Sequence, residues 1–215
     1  MSEQLASLLI SGLSTGSVYA LVALGFNVIF KSTDAINFAQ GEWVMAGGMI
    51  GAFLHTNFGL APLLLLPICA GAVALIGLVS ERLAVHPLKT PTPMLLTLIT
   101  IAVAITTRAA ITLVLGKAPA GLPSFSGSEN VAVFGATLPP QALWVFGITL
   151  LVMAGTHYFF QRSLLGRAMR AAAADREAAG LVGINVSNMA MWSFVIAAAI
   201  GAVAGLIITP LTLTS

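Results

Sequence analysis

The sequence predicts an all-α, polytopic transmembrane bundle, and three observations carry that prediction. Only 7% of the residues are charged while 58% are hydrophobic, and the mean hydropathy is +1.01. A soluble domain carries roughly 25% charged residues, so this chain has too little polar surface to cover a globule. Its apolar residues fall into runs near 20 residues long, about the length that crosses the hydrocarbon core of a bilayer as a helix. The charged residues, finally, collect in the segments between those runs.

Six spans are expected in order. The first runs from about Leu5 to Phe30 and ends at Lys31. Glu3 stands where a cleavable signal would carry Lys or Arg, so this run is read as a retained span. It contains Gly12 and Gly16, a four-residue spacing that admits a close helix neighbour. A polar segment follows, Ser32 to Glu42 (STDAINFAQGE). The second span, about Trp43 to Phe58, is short and rich in glycine (Gly47, Gly48, Gly51); it reads as a span or a re-entrant segment. The third is about Ala61 to Ser80, with Pro62 and Pro67 near its start. Glu81 to Pro93 is expected as a polar loop, and the fourth span as Met94 to Leu115. Gly116 to Pro140 is a Gly/Pro/Ser-rich loop with an apolar patch, VAVFGATL. The fifth span is about Gln141 to Phe160, and the sixth about Met189 to Ile208, carrying Gly201 and Gly205 at the same four-residue spacing.

Between the last two lies Ser163 to Asn185, SLLGRAMRAAAADREAAGLVGIN. Seven alanines make helix its cheapest conformation, and Gly180 and Gly183 are stop signals. Its charges are Arg167, Arg170, Asp175, Arg176 and Glu177. Either it is a solvated loop helix or it is a surface offered to a partner outside the membrane.

Lys and Arg counts set the orientation. Lys31, Arg82, Lys89, Arg162, Arg167, Arg170 and Arg176 follow spans one, three and five, whereas the opposite side holds only Lys117. The first group is therefore expected on the cytoplasmic side and the N-terminus outside.

Several chemistries are excluded. Net charge is +2, which suggests no nucleic-acid partner. Gly12-Leu13-Ser14-Thr15-Gly16 fits the hydrolase elbow pattern, but that motif needs a strand before it and a helix after it, and here it lies inside one helical run. His55, His86 and His157 form no cluster with metal-ligand spacing, and no phosphate loop is present. Cys69, the single cysteine, sits in an apolar run and is read as a small buried residue. Arg108 is the one charge inside a span; it snorkels to the outer interface or serves as a gate or anion partner facing a cavity. Asn27, Asp34, Asn37, Gln40 and Glu42 straddle the first connection. They are either an ordinary solvated turn, or Asn37 and Glu42 hydrogen-bond across helices and fix the second span.

The stretch SGLSTGSVYALVALGFNVIFKSTDAINFAQGEWVMAGG, Ser11 to Gly48, resembles the opening of LivH-type permeases of branched-chain amino acid ABC importers. Gly166 to Asn185 resembles the cytoplasmic coupling loop of that family, and the likeness extends over essentially the whole chain. Glu177-Ala178-Ala179 with Gly183 also matches the E-A-A-x-x-x-G pattern of ABC import permeases, although Ser193 stands where that pattern continues with Ile. The resemblance implies one transmembrane permease domain over residues 1–215, with a coupling loop at 161–188 that contacts a cytoplasmic ATPase through Arg167, Arg170, Asp175, Arg176, Glu177, Ala178, Ala179 and Gly183. It implies a second, related permease subunit, an extracytoplasmic amino-acid-binding protein, and surrounding lipid of the inner membrane. ATP and Mg would sit on the ATPase and no cofactor on this chain, which would not be an enzyme. Members of the family usually run longer, so the chain is expected to be truncated at its C-terminus. Related permeases carry urea or short amides, and that choice stays open. The competing class is an ATP-independent secondary transporter or channel. It calls for a coupling carboxylate inside a span, and Glu42 and Glu81 are both expected at span ends. A membrane scaffold is the third class.

Overall fold

Proline and side-chain caps decide where the helices begin. In a computed structural model, which describes residues 2–88, 92–116, 121–126, 131–133, 136–138 and 140–212, Pro62, Pro93 and Pro140 each open a helix, the position where a missing N–H costs nothing. Thr92 accepts from Leu95 N and caps the helix that follows. The helices are α1 (Ser2–Thr33), α2 (Gln40–Phe58), α3 (Pro62–Ser80), α4 (Pro93–Leu115), α5 (Pro140–Arg162), α6 (Leu164–Ala174), α7 (Arg176–Leu181) and α8 (Val186–Thr212). The apolar patch of the long loop forms a small antiparallel hairpin, β1 (Val131–Val133) with β2 (Ala136–Leu138), in which Val131 pairs with Leu138.

Five of the helices are long and apolar enough to cross a membrane among the described residues: Leu8–Thr33, Pro62–Val85, Pro93–Leu115, Pro140–Arg162 and Val186–Leu211. The expectation of six spans is corrected at α2. That helix opens on Gln40-Gly41-Glu42 and closes on His55-Thr56-Asn57, which dilutes its apolar middle. Its residues are those expected, and of the two readings, span or re-entrant segment, its starting depth fits the second. Gln40 Nε2 donates to Ala197 O at 3.1 Å, and Ala197 is eleven residues into α8, about 16 Å from its start. The helix therefore begins midway through the bundle.

The axis of the bundle is α8, 67% buried over its apolar window, while the other four candidate spans are 11–22% buried. Small residues on α8 let α2 and α3 come close. A Cβ at Gly205 would strike the Val44 carbonyl, and one at Gly47 would strike the Ala202 backbone. Gly51 is occupied in the same sense by Leu206, and Gly201 by Gln40 and Trp43. Residue numbers rise together along this contact, so α2 and α8 run parallel. On α3, Gly77 admits the Phe194 backbone, and Leu65 and Cys69 cluster with Leu206, so α3 runs antiparallel to α8. Trp43 packs edge-on against Phe194 with ring centroids 5.9 Å apart. On α4 the buried residues Leu96, Thr100, Val103, Thr107 and Ile111 form one stripe at helical spacing. The opposite faces of α1, α3, α4 and α5 expose Leu, Ile, Val and Tyr, as lipid-facing surfaces do.

Gly12 and Gly16 have nothing within 4 Å of their Cβ positions, so the close helix approach expected there is not made within this chain. Ser14 donates to Ile10 O inside unbroken helix, which disposes of the hydrolase elbow. The polar loop expected from Glu81 onward instead begins as a π-helical turn, Glu81–Val85, continuing α3. Lys89 and Lys117 lie outside the described residues.

Candidate functional site

Two sets of polar residues stand apart from the apolar packing. The first grows from the break between α1 and α2. Asp34 has φ 55 and takes the backbone out of α1, a conformation Asp tolerates better than most residues. The chain then turns inward instead of outward to water. Thr100 Oγ1 donates to Ile36 O at 3.2 Å and stands 3.1 Å from Phe38 N. Asn37 Oδ1 accepts from Ala39 N at 3.1 Å, a local turn that aims the backbone into α2. Of the two readings of this connection, the solvated turn does not fit Asn37, Gln40 and Glu42, which are 1%, 0% and 9% exposed. The reason lies in α8, whose small residues leave room for polar backbone and side chains at the centre.

Glu42 meets Arg108 across the helix pair. Arg108 Nη2 donates to Glu42 Oε1 at 2.6 Å and Nε donates to Oε2 at 3.1 Å. This two-bond fork is the strong form of a carboxylate–guanidinium contact. Arg108 is fifteen residues into α4, about 22 Å from its start. Glu42 is therefore inside the bundle and not at a span end, and Glu81 is also buried, at 1% exposed. The absence of an intramembrane carboxylate, used above against secondary transport, does not hold. Asn37 bonds within its own turn, accepting from Ala39 N, whereas Gln40 reaches across to Ala197 O on α8. Three buried polar atoms gather in this region without a hydrogen-bond partner: Asn37 Nδ2, Gln40 Oε1 and Trp43 Nε1. Asn27 donates to Ala23 O on its own helix and stays exposed.

The second set is the segment between α5 and α8. One helix was expected; there are two, α6 and α7. Ser163 Oγ accepts from Gly166 N and starts α6. Asp175 ends it, because its side chain accepts from Glu177 N and Ala178 N and caps α7 instead. Gly183 has φ 87, a left-handed backbone conformation that strains any residue with a Cβ although the space around it is open. Met169, Ala172 and Ala179 face the bundle, while Arg167, Arg170, Glu177 and Ala178 face away. Leu181 and Val182 are 89% and 77% exposed on this polar segment. Arg176 reaches back, donating through Nη2 to Ser32 O at 2.9 Å. That bond, with Ser187 Oγ 3.2 Å from His86 Nδ1, gathers the ends of α1 and α3 and the start of α8 at one end of the bundle. Of the basic residues counted on one side, the described ones (Lys31, Arg82, Arg162, Arg167, Arg170 and Arg176) lie on the elements gathered at that end.

Several structural residues were invisible in the sequence. Gln141, 1% exposed, accepts from Phe125 N and donates to Ile207 O, tying the long loop to α8. Gly25 leaves space for the Gln40 side chain. No spacing rule marks either, since both partners are distant in sequence. Among the described residues no group of three His, Cys, Asp or Glu could hold a metal.

Residues 8–214 match the family described as "Branched-chain amino acid transport system / permease component". The chain is 32% identical over 212 residues to the high-affinity branched-chain amino acid transport system permease protein BraD of Pseudomonas aeruginosa, covering 93% of this chain and 69% of the relative. It is 32% identical over 226 residues to the permease protein LivH of Escherichia coli, covering 97% and 72%. A probable LivH of Methanocaldococcus jannaschii is 26% identical over 198 residues, covering 88% and 61%. No solved structure matches. With a match that runs through every candidate span and through both polar sets, the chain belongs to the branched-chain amino acid transport system permease family.

Proposed function

We propose that this chain is the membrane-spanning permease subunit of an ABC importer in the cell inner membrane, moving branched-chain or other apolar amino acids by alternating access. Its expected companions are a cytoplasmic ATPase, a second permease subunit and an extracytoplasmic amino-acid-binding protein. The α6–α7 surface carries this reading. Two exposed apolar residues, Leu181 and Val182, and the exposed Arg167, Arg170 and Glu177 belong to one segment whose Met169, Ala172 and Ala179 are buried against the bundle. Such a surface suits docking of a protein partner. ATP hydrolysis is assigned to that partner. The end gathered around Ser32, His86 and Ser187 faces the cytoplasm, following the distribution of Lys and Arg.

The Glu42–Arg108 fork, with Asn37 beside it, is the proposed gate region. Alternating access needs an element with two stable arrangements. An unwound entry to α2, seated against α8, offers one. The test is purification of the tagged chain in mild detergent from its native membrane, followed by reconstitution with whatever accompanies it. Recovery of an ATPase, and leucine uptake that requires ATP, are expected. Leucine uptake that continues without ATP would overturn the reading.

A further inference from the structure

The cytoplasmic end of the bundle holds a carboxylate to which the transport reading gives no task. Glu81 is 1% exposed and lies on the π-helical turn that prolongs α3. Turns of that kind interrupt the regular ladder and recur at functional positions. Its Oε1 is 3.9 Å from His86 Nδ1, and its Oε2 has no hydrogen-bond partner. A carboxylate withdrawn from water and half satisfied calls for a cation or a donor.

A cation is close at hand. Glu81 lines a cavity of about 310 Å³ whose wall also includes Arg176, together with Thr33, Leu96 and Ser187. Arg176 opens α7, the second helix of the docking segment. It donates to a neutral carbonyl, Ser32 O, at the end of α1. A guanidinium has five donors and is best matched by a carboxylate. The ion pairs among the described residues are His86–Glu81 and Arg108–Glu42. Arg176 and Glu81 thus share one small chamber without being paired to each other. The arginine also makes a second cation in this chamber unfavourable.

We infer that Arg176 and Glu81 form a switched ion pair. Arg176 holds the Ser32 carbonyl in the conformation described here, and crosses to Glu81 Oε2 when the docking segment is pressed toward the bundle. The inference rests on the reading of α6–α7 as the ATPase-docking surface. Its consequence is mechanical. Glu81 is fixed to the end of α3, and the cavity wall continues through Val85 and Leu88 to Leu96 on α4. A pull on Glu81 moves these two helices, while the loss of the Ser32 bond frees the end of α1 and the inward-turning segment behind it. Glu81 and Arg176 are positioning residues; neither needs to touch the transported molecule.

The experiment uses the complete reconstituted transporter, and wild-type leucine uptake and ATP hydrolysis are measured first. Glu81→Gln and Arg176→Gln are each expected to lower uptake about tenfold while ATP hydrolysis continues. The double variant should fall no lower than the singles, and the exchange Glu81→Arg/Arg176→Glu should exceed either reversed single. Multiplying losses in the double variant would mean independent roles and overturn the pair. A second readout does not depend on uptake. In a Cys69→Ala background, Glu81→Cys and Arg176→Cys should form more disulfide in the ATP-trapped complex than in the nucleotide-free one. Equal yields in both states, with normal wild-type uptake, would sink the switch alone. Absence of uptake by the wild-type complex would sink the importer reading and the switch with it.

Discussion

Gly205 shows at single-residue scale how this bundle is held together. Its missing side chain lets the Val44 carbonyl come against α8, and a Cβ there would overlap it. Backbone cannot swing aside as a flexible side chain can. Gly205→Val is therefore expected to destabilise the fold by about 1–3 kcal/mol, the usual cost of overpacking, with a lower Tm of the detergent-solubilised chain. Gly12→Val meets open space and should leave Tm of the isolated chain unchanged, within about 0.5 kcal/mol. The two glycine pairs have the same spacing in the sequence; only the neighbours distinguish them.

Glu42 and Arg108 make a second residue-scale case. Glu42 is buried and accepts two hydrogen bonds from one guanidinium. Removing Arg108 strands the carboxylate in an apolar setting, whereas neutralising both partners leaves no buried charge. Arg108→Gln should thus lower Tm more than the double variant Glu42→Gln/Arg108→Gln does. A double variant that is the less stable of the two would contradict this account. If Arg108→Gln also kept full leucine uptake, the gate assignment would fail.

At the scale of elements, the proposed docking segment is built from two short helices whose junction depends on one side chain. Asp175 caps α7 with two backbone bonds. Asp175→Ala is expected to weaken α7 by about 1 kcal/mol and to reduce the ATPase recovered with the permease, read as subunit stoichiometry after purification. Gly183→Arg should act more severely, because it forces a side chain into a left-handed turn (φ 87) next to the exposed Leu181 and Val182. Full ATPase recovery with both variants would move the docking surface elsewhere. The helical propensity of this segment was legible from its alanines. Its division was less so, since Asp175 in mid-run reads equally as a surface charge until its cap bonds are seen.

For the whole molecule, the single cysteine provides a clean topological test. Cys69 is buried in the cluster with Leu65, Leu122 and Leu206 and should resist water-soluble maleimides in the folded chain. Ala173→Cys, on the exposed face of α6, should be labelled from the cytoplasmic side only. Phe58→Cys, at the other end of α2 and 67% exposed, should be labelled from the outer side. Labelling of both from one side would reverse the proposed path of α2 through the bundle.

The sequence by itself determined the all-helical membrane class, the five long spans to within a few residues, and the polar segment between α5 and α8. These follow from composition and local run length, and bilayer thickness imposes run length on any spanning helix. The distribution of Lys and Arg likewise grouped the loops that the structure brings to one end. Only the tertiary structure decided that α8 is the axis, that α2 starts beside Ala197, and that Asn37, Gln40 and Glu42 are buried. Polar residues next to a short apolar run look like a surface turn, because in most proteins water satisfies them. Here Thr100, Arg108 and the Ala197 carbonyl take that place. The same holds for Glu81. Its environment is made by α3, α7 and α8 together, and no spacing within any one of them records where the other two will pack.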